Sequence, residues 1–404
     1  MANSLSFSPL VDSPPDDGPA ARLLAQTLAE AAERGASDVH VEPTEHGWRI
    51  RLRVDGALHE LPLPPAHLRD AFVTRVKVLA RLDIAERRVP QDGRLRLAAG
   101  SGQVEDYRVS ALPTVLGEKL ALRRLDTLPP DLSLDTLGFD ARQRRTLEAA
   151  IRAPHGLVLV TGPTGSGKTL SLYAFVQMLN DASRNVCTVE DPAEIQLAGV
   201  NQVNVREKTG LTFAATLRAL LRQDPDIIMI GEIRDAETAD VALKAAQTGH
   251  LVLSTLHTND APSAIGRLLD IGVARYNLAA ALRLVTAQRL VRRLCAHCRT
   301  PAPYPASALA AAGFAPDALA GWTPYEARGC PACHGAGFRG RIGIHQVMPA
   351  SPALRELISA GASSHALGRQ AYADGAAPLR VAALACVREG VTSLAEAIAV
   401  TDAL

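Results

Sequence analysis

The residues Gly162-Pro163-Thr164-Gly165-Ser166-Gly167-Lys168-Thr169 have the types and spacing of a cradle for nucleotide phosphates. They complete the pattern G-x-x-x-x-G-K-[ST]. The glycines let the backbone turn its NH groups toward an anion, Lys168 can neutralise the β and γ phosphates, and the Thr169 hydroxyl can hold Mg²⁺. The plain alternative is a glycine turn between a strand and a helix. The apolar run Leu157 to Val160 supplies that strand, and the chain after Thr169 reads as the helix.

Three further apolar runs end in polar groups. Val186-Cys187-Thr188-Val189 leads into Glu190-Asp191-Pro192-Ala193-Glu194, and Asp226 to Glu232 has carboxylates at both ends of its apolar stretch. Loops of parallel α/β sheets collect ligand groups at such strand ends. In the second run Gly231 and Glu232 stand where an aspartate normally closes the strand to hold Mg²⁺. Glu194 and Glu232 are thus available for the two carboxylate tasks of hydrolysis, polarising water and managing the metal's water shell. Which does which is open at this level. Leu251 to Leu256 is bracketed by His250 and His257, and either could sense a γ-phosphate or serve only packing.

Cys295-x-x-Cys298 and Cys330-x-x-Cys333 form two short knuckles, a spacing suited to tetrahedral Zn²⁺ held by four thiolates. A thioredoxin-like redox motif, the main rival, needs only one such pair. The long stretch between the knuckles adds little cost, because loop-closure entropy grows logarithmically. Cys187 and Cys386 stand alone and read as small buried apolar residues.

The elements that must position these groups follow from periodicity. Residues 1–18 show no sustained period and read as a mobile tail. Ala20 to Arg34 places Leu23, Leu24, Leu28 and Ala31 on one helical face, and His67 to Val89 reads as a second helix stopping before Pro90. Trp48 to Val54 alternates apolar and charged residues, then Asp55-Gly56 and Ala57 to Leu61 complete a β-hairpin. Leu95, Leu97, Tyr107 and Val109 alternate in the same way around the turn Gly100-Ser101-Gly102. Arg94 and Arg108 on these strands read either as a solvated face or as arginine fingers for a nucleotide bound elsewhere. Pro129-Pro130-Asp131 marks a linker, and Leu354, Leu357, Ile358, Leu394, Ala397 and Ile398 give the C-terminal end helical periods.

Composition limits the function classes. The chain has 404 residues, 47% hydrophobic and 21% charged, with Lys+Arg 43 against Asp+Glu 42 and a formal charge of +1. Such a balance lacks the basic excess of a protein that coats nucleic acid. No apolar stretch reaches the 18 or so residues of a membrane span, and Met1 to Phe7 lacks the basic start and apolar run of a secretory signal. A cytoplasmic protein is expected.

Thr188 to Glu194 resembles the Asp box, Asp226 to Glu232 the Walker B element, and Gly249 to Asn259 the His box of the secretion ATPases, the hexameric motors of type II secretion and type IV pilus assembly. Ala36 to Pro43 and Pro90 to Arg94 extend the resemblance over nearly the whole chain. The resemblance implies an α/β RecA-like P-loop ATPase core with ATP and Mg²⁺ as ligands, an N-terminal α+β domain, a four-cysteine Zn²⁺ module and a C-terminal helical region. The corresponding boundaries are a tail at 1–18, the α+β domain at 19–128, a linker at 129–136, the ATPase domain at 137–290, the zinc module at 291–345 and the helical region at 346–404. It further implies Glu194 as general base, Glu232 as metal and water carboxylate, and His257 as a nucleotide-linked histidine. Arg94, Arg108, Arg218 and Arg222 would serve nucleotide near a domain or subunit boundary.

The four-cysteine insertion looks like a mark of assembly and export motors, which retraction motors lack. The implied function is therefore a homo-hexameric ATPase that drives pseudopilus assembly and protein export, or, alternatively, type IV pilus assembly. Its partners would be inner-membrane platform proteins, with the chain peripheral to that membrane. A nucleic-acid motor or helicase loader is the reading from another class. Two departures stand out: members that dock on a membrane partner usually carry a further N-terminal domain, whereas this chain starts almost directly at the second one. Gly343-Ile344-His345-Gln346 also occupies the place of an aromatic and an acidic residue.

Overall fold

Asp55 and Gly56 both adopt positive φ, 48° and 85°, which matches the right-handed twist of the hairpin they close. This turn belongs to a computed structural model that describes residues 7–9, 18–99, 104–125, 132–315 and 321–401. The chain divides into two compact units, Met1–Leu128 and Pro129–Leu404.

In the first unit, strands β1 (Phe7–Pro9), β2 (Asp38–Thr44), β3 (Gly47–Val54), β4 (Ala57–Glu60), β5 (Gln91–Ala99), β6 (Val104–Thr114) and β7 (Gly117–Leu125) form one sheet in the order β1-β5-β6-β7-β2-β3-β4. Helices α1 (Pro19–Glu33) and α2 (Arg69–Leu79) pack on one face. Leu24, Leu28, Phe72 and Val76 meet Val39, Ile50, Leu95, Tyr107 and Leu122 there, as period-two alternation demands. The opposite face carries a lateral row in register, Arg94, Arg108, Arg123, Asp38 and Arg53.

Two expectations change here. Phe7–Pro9, inside the expected mobile tail, pairs antiparallel with Leu97 to Ala99 of β5, because an edge strand satisfies backbone groups without needing a long pattern. The helix expected over 67–89 ends at Leu79. Arg81 turns left-handed (φ 57°), and Asp83 Oδ1 accepts the Ala85 and Glu86 amides, so local side-chain bonding competes with the helix. Most of the expected tail, the Gly100-Ser101-Gly102 turn and Pro129-Pro130-Asp131 lie outside the described residues.

The second unit is a doubly wound sheet. Its strands are β8 (Gly156–Thr161), β9 (Val186–Glu190), β10 (Asn201–Asn204), β11 (Ile227–Ile230), β12 (Leu251–Leu256), β13 (Leu282–Leu294) and, after a short pair β14 (Thr300–Pro301) and β15 (Tyr325–Glu326), β16 (Phe338–Pro349). Their order is β10-β9-β11-β12-β8-β13-β16, parallel except for β16. Alternate residues of β8 face opposite cores. Val158 and Val160 meet α3 (Ala141–Ile151) and α4 (Lys168–Leu179), while Leu157 and Leu159 join the core that includes α5 (Phe213–Leu220), α6 (Ala236–Gln247), α7 (Ala261–Asp270) and α8 (Arg275–Ala281). With both faces covered, β8, β9, β11 and β12 are buried throughout.

Beyond the short α9 (Ala306–Ala312), helices α10 (Pro352–Ala360), α11 (Ser364–Ala373), α12 (Leu379–Arg388) and α13 (Leu394–Val400) complete the chain. Leu354, Ile358, Leu394 and Ala397 are buried, but Ile398 is exposed. The boundaries expected at 290 and 345 fall inside β13 and β16, which pair with each other at the edge of the main sheet. Local periodicity does not reveal that the two strands flanking an inserted segment pair with each other. Among the described residues no helix is long and apolar enough to cross a membrane.

Candidate functional site

Strands β9, β11, β12 and β8 are neighbours and run parallel, so their carboxyl ends present Glu190, Glu232, His257 and the phosphate loop along one edge. The loop's glycines are required by its backbone. Gly162 (φ 150°) lies so close to β13 that a Cβ would fall 2.4 Å from the Gln288 carbonyl oxygen. Gly167 (φ 85°) is the left-handed residue that starts α4, whereas Gly165 (φ 78°) faces open space.

Lys168 Nζ donates to the carbonyls of Gly162 (2.9 Å) and Pro163 (3.0 Å). Burial lowers its pKa against the opposing pull of Glu232. Gln288 Nε2 donates to Ser166 O at 2.8 Å and its Oε1 accepts from Ser171 Oγ at 2.7 Å, which ties the loop to β13. Ser166 Oγ is buried with no hydrogen-bond partner. That orphaned hydroxyl, the open space at Gly165 and the half-buried Thr169 in the first turn of α4 fit a polyphosphate with its cation. Pro163 is half-buried and Thr164 exposed in the loop.

Glu232 and His257 meet at the adjacent strand ends. His257 Nε2 is 3.2 Å from Glu232 Oε2, and its Nδ1 is 3.5 Å from Lys168 Nζ. Glu232 also bonds to the Arg234 guanidinium, whose other end is 3.8 Å from Asp191. Burial alone would raise the Glu232 carboxyl, but the hydrogen bond and charge of Arg234, with His257, hold it below the usual carboxylate range. Thr161 Oγ1 accepts the Thr258 amide at 2.8 Å, fixing the His257 turn to the strand that carries the phosphate loop.

The end of β9 is organised around the buried Glu190. Its oxygens accept from Thr188 Oγ1 (2.6 Å), Gln202 Nε2 (3.0 Å) and the Tyr173 hydroxyl. That hydroxyl in turn accepts the Glu194 amide at 3.1 Å, while Glu194 itself is exposed.

Other expected residues have their own partners. His250 Nδ1 bonds Ala245 O at 3.1 Å at the opposite end of β12, a packing role, and Asp226 accepts the Asn185 amide at 2.7 Å. Arg218 pairs with Glu237 on α6 at 2.7 Å, and Arg222 donates to Arg218 O at 2.9 Å. Arg94 and Arg108 lie in the first unit, where Arg94 forms a two-pronged bond to Asp106 at 2.8 and 2.6 Å. Arg234, Gln288, Ser166 as an orphan, Thr258 and Tyr173 went unrecognised in sequence. Only Arg234, two residues after Glu232, offered a local signal.

The four knuckle cysteines converge, all sulfurs lying within 4.8 Å of one another. Separations of 3.8 Å (Cys295 to Cys330), 3.8 Å (Cys298 to Cys333) and 3.7 Å (Cys330 to Cys333) match the edge of a tetrahedron with Zn–S bonds of about 2.3 Å. Amides of Cys330 and Gly337 each donate to Cys333 Sγ at 3.2 Å, which favours a thiolate. The residues fit Zn²⁺. Cys187 is buried and Cys386 half-buried.

Residues 14–399 match the model of the Type II/IV secretion system protein family. The chain is 49% identical over 384 residues to the type IV pilus assembly ATPase PilB of Myxococcus xanthus, covering 95% of this chain and 68% of that one. It is 46% identical over 410 residues to the type II secretion system protein E of Pseudomonas aeruginosa, covering 99% and 81%. The X-ray structure of the ATPase DotB of Legionella pneumophila superposes with a TM-score of 0.69 at 22% identity over 96% of each chain, a likeness of fold.

Proposed function

The chain belongs to the Type II/IV secretion system protein family, and from that premise we propose that it is a homo-hexameric motor driving pseudopilus assembly and protein export in type II secretion. It is an ATPase. The observation that carries the site assignment is the meeting of Lys168, His257 and Glu232 beside the phosphate loop at adjacent strand ends.

In this assignment Gly162 to Thr169 hold the triphosphate of ATP, with Lys168 leaving the loop carbonyls for the β and γ phosphates and Thr169 offering its hydroxyl to the cation. Mg²⁺ supplies charge neutralisation on the phosphates when bound. Glu194 takes the proton of the attacking water. Glu232, kept ionised by Arg234, orients water at the metal side, and His257 links that carboxylate to Lys168. Arg94, Arg108, Arg218 and Arg222 serve nucleotide in the same or a neighbouring subunit. Residues 137–290 form the ATPase domain, and residues 19–128 move against it through the cycle. Cys295, Cys298, Cys330 and Cys333 hold Zn²⁺, which fastens the segment between β13 and β16. The motor works on the cytoplasmic side of the inner membrane through platform proteins.

Type IV pilus assembly is the second reading, favoured by the 49% identity to a pilus assembly ATPase. Lys168→Ala should abolish turnover, and normal hydrolysis by that variant would overturn the phosphate-loop assignment. Deleting the gene separates the two branches: loss of secreted enzymes supports export, and loss of surface pili supports pilus assembly. Stimulation of hydrolysis by DNA would instead favour a nucleic-acid motor.

A further inference from the structure

Tyr173 lies on α4, the helix that begins at Lys168, and its ring is fully buried. Its hydroxyl joins the end of β9 to the loop that follows: it donates to Glu190 Oε2 and accepts the Glu194 amide at 3.1 Å. The direction follows from the proton count. A backbone amide can only donate, so the phenol oxygen accepts from Glu194 and its one proton points to Glu190. Thr188 and Gln202 hold Glu190 in place for this. Burial, together with the bond to Glu190 and its charge, pushes the Tyr173 phenol up, so it stays a donor throughout the working pH range.

We propose that Tyr173 is a positioning residue for Glu194, fastening the loop that carries this carboxylate to the helix whose amino end faces the phosphates. The inference rests on Glu194 being the base, as proposed above. Its physical content is rigidity. The Glu194 backbone sets where its side chain begins, and Tyr173 ties that backbone to the helix that starts at Lys168. Loss of the hydroxyl removes a donor from a buried carboxylate and the acceptor from the Glu194 amide.

The test uses full-length protein and steady-state ATP hydrolysis. Tyr173→Phe should lower kcat about 10- to 100-fold with KM for ATP within about twofold, because a misplaced base affects the chemical step and not phosphate binding. Hydrogen exchange over 191–197 should accelerate in that variant. Combined with Glu194→Gln, Tyr173→Phe should cause no further loss, since a residue acting through Glu194 has nothing left to position. Multiplying losses, a raised KM with unchanged kcat, or a wild-type rate in Tyr173→Phe beside an inactive Glu194→Gln would each overturn the positioning role alone. A wild-type rate in Glu194→Gln would remove the base assignment and the positioning role with it. Should Tyr173→Phe lose its cooperative unfolding transition, Glu190→Gln gives the second measurement: a smaller kcat-selective loss supports the role, and an unchanged kcat overturns it.

Discussion

His257 stands between Lys168 and Glu232, its Nδ1 3.5 Å from the ammonium and its Nε2 3.2 Å from the carboxylate. An ammonium can only donate and a carboxylate can only accept, so the two ring nitrogens face groups of opposite hydrogen-bonding character. His257→Ala breaks this link. Its kcat should fall about 10- to 100-fold while Zn²⁺ content and melting temperature hold, and a wild-type kcat would remove His257 from the site.

Arg234 sets the charge state of Glu232. Since its bond and charge hold that carboxyl below its ordinary range, Arg234→Ala should let the pKa rise. The acid limb of the kcat–pH profile then moves to higher pH. An acid limb that stays in place between pH 5 and 8 would show that Glu232 ionisation does not govern turnover.

His345 is fully buried, stacks on Phe139 at a centroid distance of 3.7 Å and reaches Leu137 O through Nε2 at 2.8 Å. Burial brings its pKa down to about 4 from 6.5. The folded protein therefore binds fewer protons than the unfolded chain between these values, so stability is complete above pH 6.5 and declines as pH falls toward 4. Across that window the linkage amounts to roughly 3 kcal/mol. Urea midpoints measured from pH 7 to pH 4 should show this slope, and His345→Phe should flatten it. An equal slope in the variant would assign the effect to other groups.

Paired Cys295→Ser and Cys298→Ser substitutions should take zinc content from one ion per chain to none by metal analysis. Unfolding temperature should drop as well, because an ion held by the four thiolates would close the long excursion between β13 and β16. Full zinc occupancy in the double variant would exclude the four-thiolate site.

The sequence by itself determined what depends on neighbours along the chain. The glycine turn between β8 and α4 was legible because it is built from consecutive residues, whose positive φ at Gly162, Gly165 and Gly167 favours glycine. The cysteine knuckles were legible for the same reason, each pair being a local turn. Alternation identified β3, β5 and β6, and a strand-end pattern placed Glu232 and His257. The early end of α2 was not legible, because the Asp83 turn outweighed a helical period that continued on paper.

Only the tertiary structure decided which groups face one another. His257 and Glu232 are separated by 25 residues, Tyr173 and Glu190 by 17, and Gln288 reaches Ser166 across 122. These pairings follow from the strand order β9-β11-β12-β8-β13, which is not the order of the chain. Periodicity specifies which face of a strand is buried. It carries no information about which strand lies next to it, and that adjacency is what turns separate carboxylates, a histidine and a lysine into one site.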